Sequence, residues 1–207
     1  YYASSAARIT SLSVNAGPIA GGTSVAATGI GFVEGETSIN IGGSVVSAAN
    51  VNVTSSTLLS FVTPAHAAGN VAVMAAMPDG MTDPVAGGFT YLPVPTATNL
   101  TPTSGTYTGG TKVTVLGSGF LSGHTSVTIG GTVVPAGSVT VSASQLLSFI
   151  TPAHPGGNAA VTVNTPGGTS SAVPGGYTYT GAPVPTVTAL SPAAGPTAGG
   201  TAVAVMG

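Results

Sequence analysis

Apolar and polar residues alternate with a period of two along most of this chain. "TKVTVLG" sets Val113 and Val115 against Thr114, "SVTIGG" sets Val127 and Ile129 against Thr128, and "AAVTVN" sets Val161 and Val163 against Thr162. Alternation of this kind turns one face of an extended strand toward a core and the other toward water. Helical spacing is absent from the pattern. In "INIGGSVV" (39–46) and "VTIGGTVV" (127–134) a Gly-Gly pair separates two alternating runs. That arrangement predicts a tight hairpin whose central residues need positive φ. Clusters of Gly, Pro and Ser recur at short intervals and argue against a helical or α/β fold.

The pattern repeats. The glycine pair Gly21-Gly22 returns as Gly109-Gly110, 88 positions on, and as Gly199-Gly200, 90 further. Phe32 and Phe120, "TPAH" at 63 and 151, Phe89 and Tyr177, and Tyr91 and Tyr179 keep the 88-residue interval without a gap. The two extra residues before the third copy fall in a Pro-rich joint, where "YLPVP" becomes "YTGAPVP". The chain therefore divides into 1–8, the end of a preceding repeat or an N-terminal extension; 9–91, repeat one; 92–95, a Pro-rich linker; 96–179, repeat two; 180–185, a second linker; and 186–207, the start of an incomplete third repeat. Internal repetition at this period outranks any short motif as a guide to architecture. About seven short strands per repeat describe an all-β fold of tandem immunoglobulin-like sandwiches, here with no cysteine and no tryptophan.

The order of marks in each repeat resembles the IPT/TIG domain. In repeat two these are Pro102, Gly105, Gly109 to Thr111, Gly117 to Phe120, Gly130-Gly131, Thr151-Pro152, Gly156 and Tyr177 to Tyr179. Repeat one supplies nearly the same set, with "SVNAG" at its entry in place of "TPTSG". The resemblance implies an immunoglobulin-like fold used in plexin-type receptors, transcription factors, glucan-acting enzymes and microbial surface proteins. It identifies a fold more sharply than a function.

Composition removes several functions. Of 207 residues 43% are hydrophobic and 3% charged, so the exterior must be largely Ser, Thr, Gly and Ala. Arg8 and Lys112 are the only basic residues beside four acidic ones, a net charge of −2 that leaves no electrostatic footprint for nucleic acid. Without cysteine there is neither a disulfide framework nor a thiolate metal site. No apolar run is long enough to span a bilayer as a helix.

Candidate chemistry is sparse. "AGPIAGGTSV" (16–25) and "GTYTGGTK" (105–112) look like phosphate-cradling loops, but Lys112 is displaced by one residue from the Walker position and Ser24 and Ala202 replace it in the other copies. "GIGF" and "GSGF" lack the third glycine and the helix of a dinucleotide fingerprint. Their phenylalanines, Phe32 and Phe120, read as core plugs. His66 and His154 suggest a metal ligand by their recurrence, yet neither has a neighbouring carboxylate or second imidazole in sequence, and they read as loop histidines at a strand exit. His124 has Glu36 as its counterpart. "MPDGMTDP" (77–84), with Asp79 and Asp83, is a loose calcium-loop match lacking the ligand count of an EF-hand. No catalytic constellation, cofactor site or metal site can be assembled. Asn52 and Asn99 begin Asn-x-Thr sequons, weighed against chance in so Thr-rich a chain, and exposed Ser and Thr would also suit O-linked sugars. Tyr107 is the freest aromatic and the candidate contact for a ligand.

These features lead to an expectation: a non-enzymatic extracellular structural protein, from a microbial surface, forming part of a filament, stalk or sheath. Its partners would be copies of itself, head to tail or side by side, and glycans. The alternatives are a carbohydrate-binding or adhesin module, or an accessory domain of a glucan-acting enzyme. Tyr1-Tyr2 resembles the closing strand of a preceding repeat, and "TAVAVMG" (201–207) matches the strand "TKVTVLG" of repeat two. The expectation is that 186–207 is ordered only against more protein, either in a longer array or by strand addition from another subunit.

Overall fold

The computed structural model describes residues 7–78, 80–181 and 187–207. The reading of Tyr1-Tyr2 as a closing strand, Asp79 of the calcium-loop match, and most of the second linker lie outside the described residues.

The first bead contains β1 (Arg8–Leu12), β2 (Ala16–Pro18), β3 (Ser24–Ile30), β4 (Ser38–Ile41), β5 (Ser44–Val46), β6 (Val51–Ser55), β7 (Leu58–Val62), β8 (Gly69–Val71), β9 (Val73–Met77), β10 (Gly80–Met81) and β11 (Phe89–Leu92). These form sheets in the orders β1-β3-β7-β6, β10-β9-β4-β5 and β2-β11-β8. The second bead repeats the plan with β12 (Thr96–Thr101), β13 (Ser104–Thr106), β14 (Lys112–Ser118), β15 (Ser126–Ile129), β16 (Thr132–Val134), β17 (Val139–Ala143), β18 (Leu146–Ile150), β19 (Gly157–Ala159), β20 (Val161–Thr165), β21 (Gly168–Thr169) and β22 (Tyr177–Thr180). Its sheets run β12-β14-β18-β17, β16-β15-β20-β21 and β13-β22-β19. Each bead is thus an immunoglobulin-like sandwich with a short third sheet that the alternation did not announce. In that sheet the chain, having left β1, crosses over and pairs parallel with the last strand, Ala16 to Pro18 against Thr90 to Leu92. Strands of three residues are too short to show a period, which is why the extra sheet escaped the pattern.

The hairpins form where expected. Gly42 and Gly43 have φ of 59° and 89°, and Gly130 and Gly131 have 54° and 83°, a conformation other residues reach only with strain. Each bead has its own core. Val25, Ile39, Ile41, Leu59, Val73 and Phe89 are buried in the first, and Val113, Val115, Val127, Ile129, Leu147 and Val161 in the second. Full burial of each such side chain contributes about 1.5–3 kcal/mol. Phe32 and Phe120 are buried in these cores. Gly-x-Gly-Phe has a steric reason: a side chain on Gly117 would collide with the Thr96 carbonyl oxygen and the Phe120 ring, and one on Gly29 with Arg8 and Phe32. Ala7 is buried in the first core and Arg8 opens β1.

Beyond the second bead, β23 (Ala189–Ser191) and β24 (Ala204–Met206) pair as an antiparallel ribbon. Val187, Leu190, Val203 and Val205 lie 90 positions after Ala97, Leu100, Val113 and Val115. Those four are buried in the second bead, whereas their counterparts in the ribbon are exposed.

Candidate functional site

The most heavily repeated polar cluster is built around "TPAH". Thr63 is buried and its Oγ accepts the Thr23 backbone N–H at 3.1 Å, while its carbonyl accepts the Gly22 N–H at 2.8 Å. The Pro64 carbonyl accepts the Tyr91 hydroxyl at 2.9 Å. The His66 backbone N–H donates to Ile19 at 2.9 Å, and its ring stacks on Tyr91 with centroids 5.0 Å apart. The second bead reproduces each contact. Thr151 Oγ accepts from Thr111 N–H at 3.1 Å, the Pro152 carbonyl accepts the Tyr179 hydroxyl at 3.0 Å, and His154 stacks on Tyr179 at 4.9 Å. "TPAH" is therefore a lock that ties the glycine loop, the exit of β7 or β18 and the closing strand into one corner.

The lock answers both chemical readings of these motifs. A phosphate loop needs free amides. Here Gly21 N–H donates to Pro18 and Gly22 N–H to Thr63, and Gly109 and Gly110 donate to Thr106 and Thr151 in the same way. A metal needs an outward lone pair. His66 Nδ1 is 2.8 Å from the Ala67 carbonyl oxygen, its Nε2 is 3.2 Å from that of Gly42, and His154 Nδ1 is 2.8 Å from that of Pro155. Gly130 is a glycine partly because a side chain there would strike the His154 ring. Among the described residues no three His, Asp or Glu side chains gather as a metal-binding group. Burial raises the phenol pKa of Tyr91 and Tyr179 above the usual value, which keeps both hydroxyls protonated as donors.

The remaining candidates lie apart. Tyr107 is 40% exposed in the loop after β13, its backbone held by Thr180 and His154. All other aromatic residues of the two described beads are buried, so Tyr107 stands without a neighbour to extend a platform. Asn52 is exposed on β6 and Asn99 on β12 beside a bulge between Ala97 and Asn99. Sequence reasoning placed the Pro-rich joint between the beads but not the residues seated against it. Gly167, in the β20–β21 turn, leaves no space for a Cβ: one there would meet the Pro93 carbonyl oxygen and fall 3.0 Å from Leu92 Cβ. A Cβ on Gly168 would make only ordinary contact with Val94, 3.4 Å away. On the other side Ser13, Val14, Asn15 and Ala16 of bead one share a cleft of about 250 Å3 with Leu121, His124 and Pro166 of bead two.

The family model of the IPT/TIG domain matches the chain twice, at residues 7–91 and 95–180. The chain belongs to the IPT/TIG family. IPT/TIG beads of this chain resemble solved structures by fold. The full extracellular region of plexin A4 matches at 18% identity and a TM-score of 0.52, over 84% of this chain and 18% of that one. SGBP-B from a complex xyloglucan utilization locus in Bacteroides uniformis matches at 24% identity and a TM-score of 0.39, over 84% of this chain and 49% of that one. The chain thus spans about a fifth of the first protein's length and about half of the second's. No curated protein matches it by sequence. Among the described residues no helix is long and apolar enough to cross a membrane.

Proposed function

We propose that this IPT/TIG pair is a non-enzymatic, extracellular structural segment, a stiff piece of a surface stalk, fibre or sheath. The observation that carries this reading is the joint. Only Pro93, Val94 and Pro95 separate β11 from β12, and the second bead's Gly167 and Gly168 are seated against that linker. Prolines already restrict a linker of this length to extended backbone. The Gly167 turn seated against Leu92 and Pro93 then restricts the bending freedom that a bare tether would keep. Two beads held at a set angle transmit length and direction, which is what a spacer does. The polar motifs support the same reading, because their donors and acceptors are consumed in holding corners together.

Electron microscopy of the native surface material is the test. The proposal expects extended particles or fibres with a repeat matching one bead. Isolated compact particles carrying this chain would contradict it. A glycan-binding role would rest on Tyr107 alone, and glycan-array binding lost in Tyr107→Ala would favour it over the structural one.

A further inference from the structure

One peptide bond in the first bead has no chemical equivalent in the second. Asp83-Pro84 is the single Asp-Pro pair of the chain, and at the repeat interval it is matched by Ser171-Ala172. Both pairs lie in the stretch that leads from an edge strand, β10 or β21, toward the closing strand. The fold pins that stretch at each end. Thr82 N–H donates to the Ala75 carbonyl at 3.0 Å and Val85 N–H to the Val73 carbonyl at 2.9 Å, and Val85 is buried. Between these anchors Asp83 and Pro84 are exposed, so acid and water reach the bond. The Thr82 hydroxyl is oriented: its Oγ accepts the Ala75 N–H at 3.2 Å and donates to the Asp83 carbonyl oxygen at 3.3 Å. That oxygen belongs to the bond joining Asp83 to Pro84. Ser170 makes the same two contacts in the second bead, accepting from Val163 N–H at 2.9 Å and donating to the Ser171 carbonyl at 2.8 Å. The hydroxyl is therefore a feature of the fold, and only the first bead sets a carboxyl and a proline beside it.

We infer that Asp83-Pro84 is a site of acid-triggered self-cleavage. A carboxyl oxygen of Asp83 adds to the carbonyl carbon of the same residue and closes a five-membered anhydride. The bond from that carbon to the Pro84 nitrogen breaks, and the carboxyl proton leaves with the nitrogen. Water then opens the anhydride, giving one chain that ends at Asp83 and one that begins at Pro84 with a secondary amine. Holding nucleophile and carbonyl in one residue replaces a bimolecular attack with an intramolecular one. Thr82 donates to the oxygen on which negative charge develops, as an oxyanion donor does. Proline suits the departing side, because its nitrogen has no N–H and no backbone hydrogen bond to lose. The strands beside the bond, β9 and β10, hold no titratable side chain, and the other acids of the chain are Glu34, Glu36 and Asp79. With so few carboxylates, mild acid has little else to act on, and the beads should stay folded while the bond is cut.

The cut does not by itself part the molecule. β11 lies beyond it, paired with β2 and β8, with Phe89 and Tyr91 buried and the Tyr91 hydroxyl on Pro64. If the stalk reading above holds, tension through the first bead then passes only through those contacts, and the rod separates at a defined strand. The cleavage itself does not depend on that reading.

Intact-mass analysis of the chain held at about pH 4 and at about pH 7 is the test. Cleavage is expected in acid, at Asp83-Pro84, and is lost in Asp83→Asn. Thr82→Val should slow it roughly tenfold, and Thr82→Ser should keep it. The unaltered chain in denaturant should cleave as slowly as Thr82→Val, and this comparison decides the matter if that variant fails to fold. Ser171→Asp with Ala172→Pro should install a second cut, since Ser170 already donates to that carbonyl. Native mass spectrometry should find the two fragments of the unaltered chain still together. A folded chain that stays whole in acid, or a rate indifferent to both Thr82→Val and denaturant, overturns the site. Fragments that drift apart under native conditions overturn the held strand. Neither result bears on the fibres sought by electron microscopy, which test the stalk reading separately.

Discussion

The imidazole of His66 lies flat on the phenol ring of Tyr91, with centroids 5.0 Å apart and planes 24° from parallel. The same tyrosine donates its hydroxyl to Pro64, two residues before the histidine. Ring and hydroxyl therefore clamp one loop from two directions. Tyr91→Phe keeps the stack and removes the hydrogen bond, and should lower the stability of the first bead by about 1 kcal/mol. His66→Ala removes the stack and should cost about 0.5–1.5 kcal/mol. Chemical denaturation of each variant reads both effects. Added zinc or EDTA should shift neither midpoint, since the imidazole nitrogens face carbonyl oxygens.

Tyr177 makes the opposite case. Its hydroxyl is buried without a hydrogen-bond partner, beneath Gly105 and near Thr111, and the first bead has Phe89 at this position. An unsatisfied buried hydroxyl costs on the order of 1–3 kcal/mol. Tyr177→Phe should therefore stabilise the second bead by about 1 kcal/mol. A lower denaturation midpoint for this variant would show that the hydroxyl has a partner the fold relies on.

Stability should also respond to alkali in a defined direction. Burial raises the pKa of Tyr91 and Tyr179 above the ordinary 10.0. The folded chain then holds these protons more tightly than the unfolded chain, so their contribution is complete below the unfolded pKa and is lost as pH rises through the folded one. The midpoint should be level from neutrality to about pH 9 and fall above about pH 10, by at most roughly 1.4 kcal/mol per pH unit for each phenol. Tyr91→Phe should flatten the fall in the first bead.

How much of this was legible in the sequence depended on local repetition. Val113, Val115, Val127 and Ile129 announced their strands because each alternates with a threonine, and the Gly-Gly hairpins announced themselves because positive φ has few other solutions. Phe120 could be assigned to the core from its spacing. His66 and His154 could be placed at a strand exit, but their partners Tyr91 and Tyr179 lie 25 residues away, and no local pattern encodes a stack across that distance. What packs against the Pro-rich joint was hidden for the same reason. Gly167 reads as an ordinary turn glycine until Pro93 is seen against it. Val45 and Val62 look like core residues in an alternating strand, and only their exposure shows that they belong to the surface.

Whether the two beads hold a set orientation is read by the distance between two spin labels, one on each bead. Thr54 and Ser142 are exposed, equivalent positions in the two beads, and a chain without cysteine accepts labels at Thr54→Cys and Ser142→Cys alone. A held orientation gives one narrow distance distribution, which Gly167→Val broadens by forcing a side chain against Pro93 while both beads keep their denaturation midpoints. A broad distribution in the unaltered chain, unchanged by Gly167→Val, would contradict it.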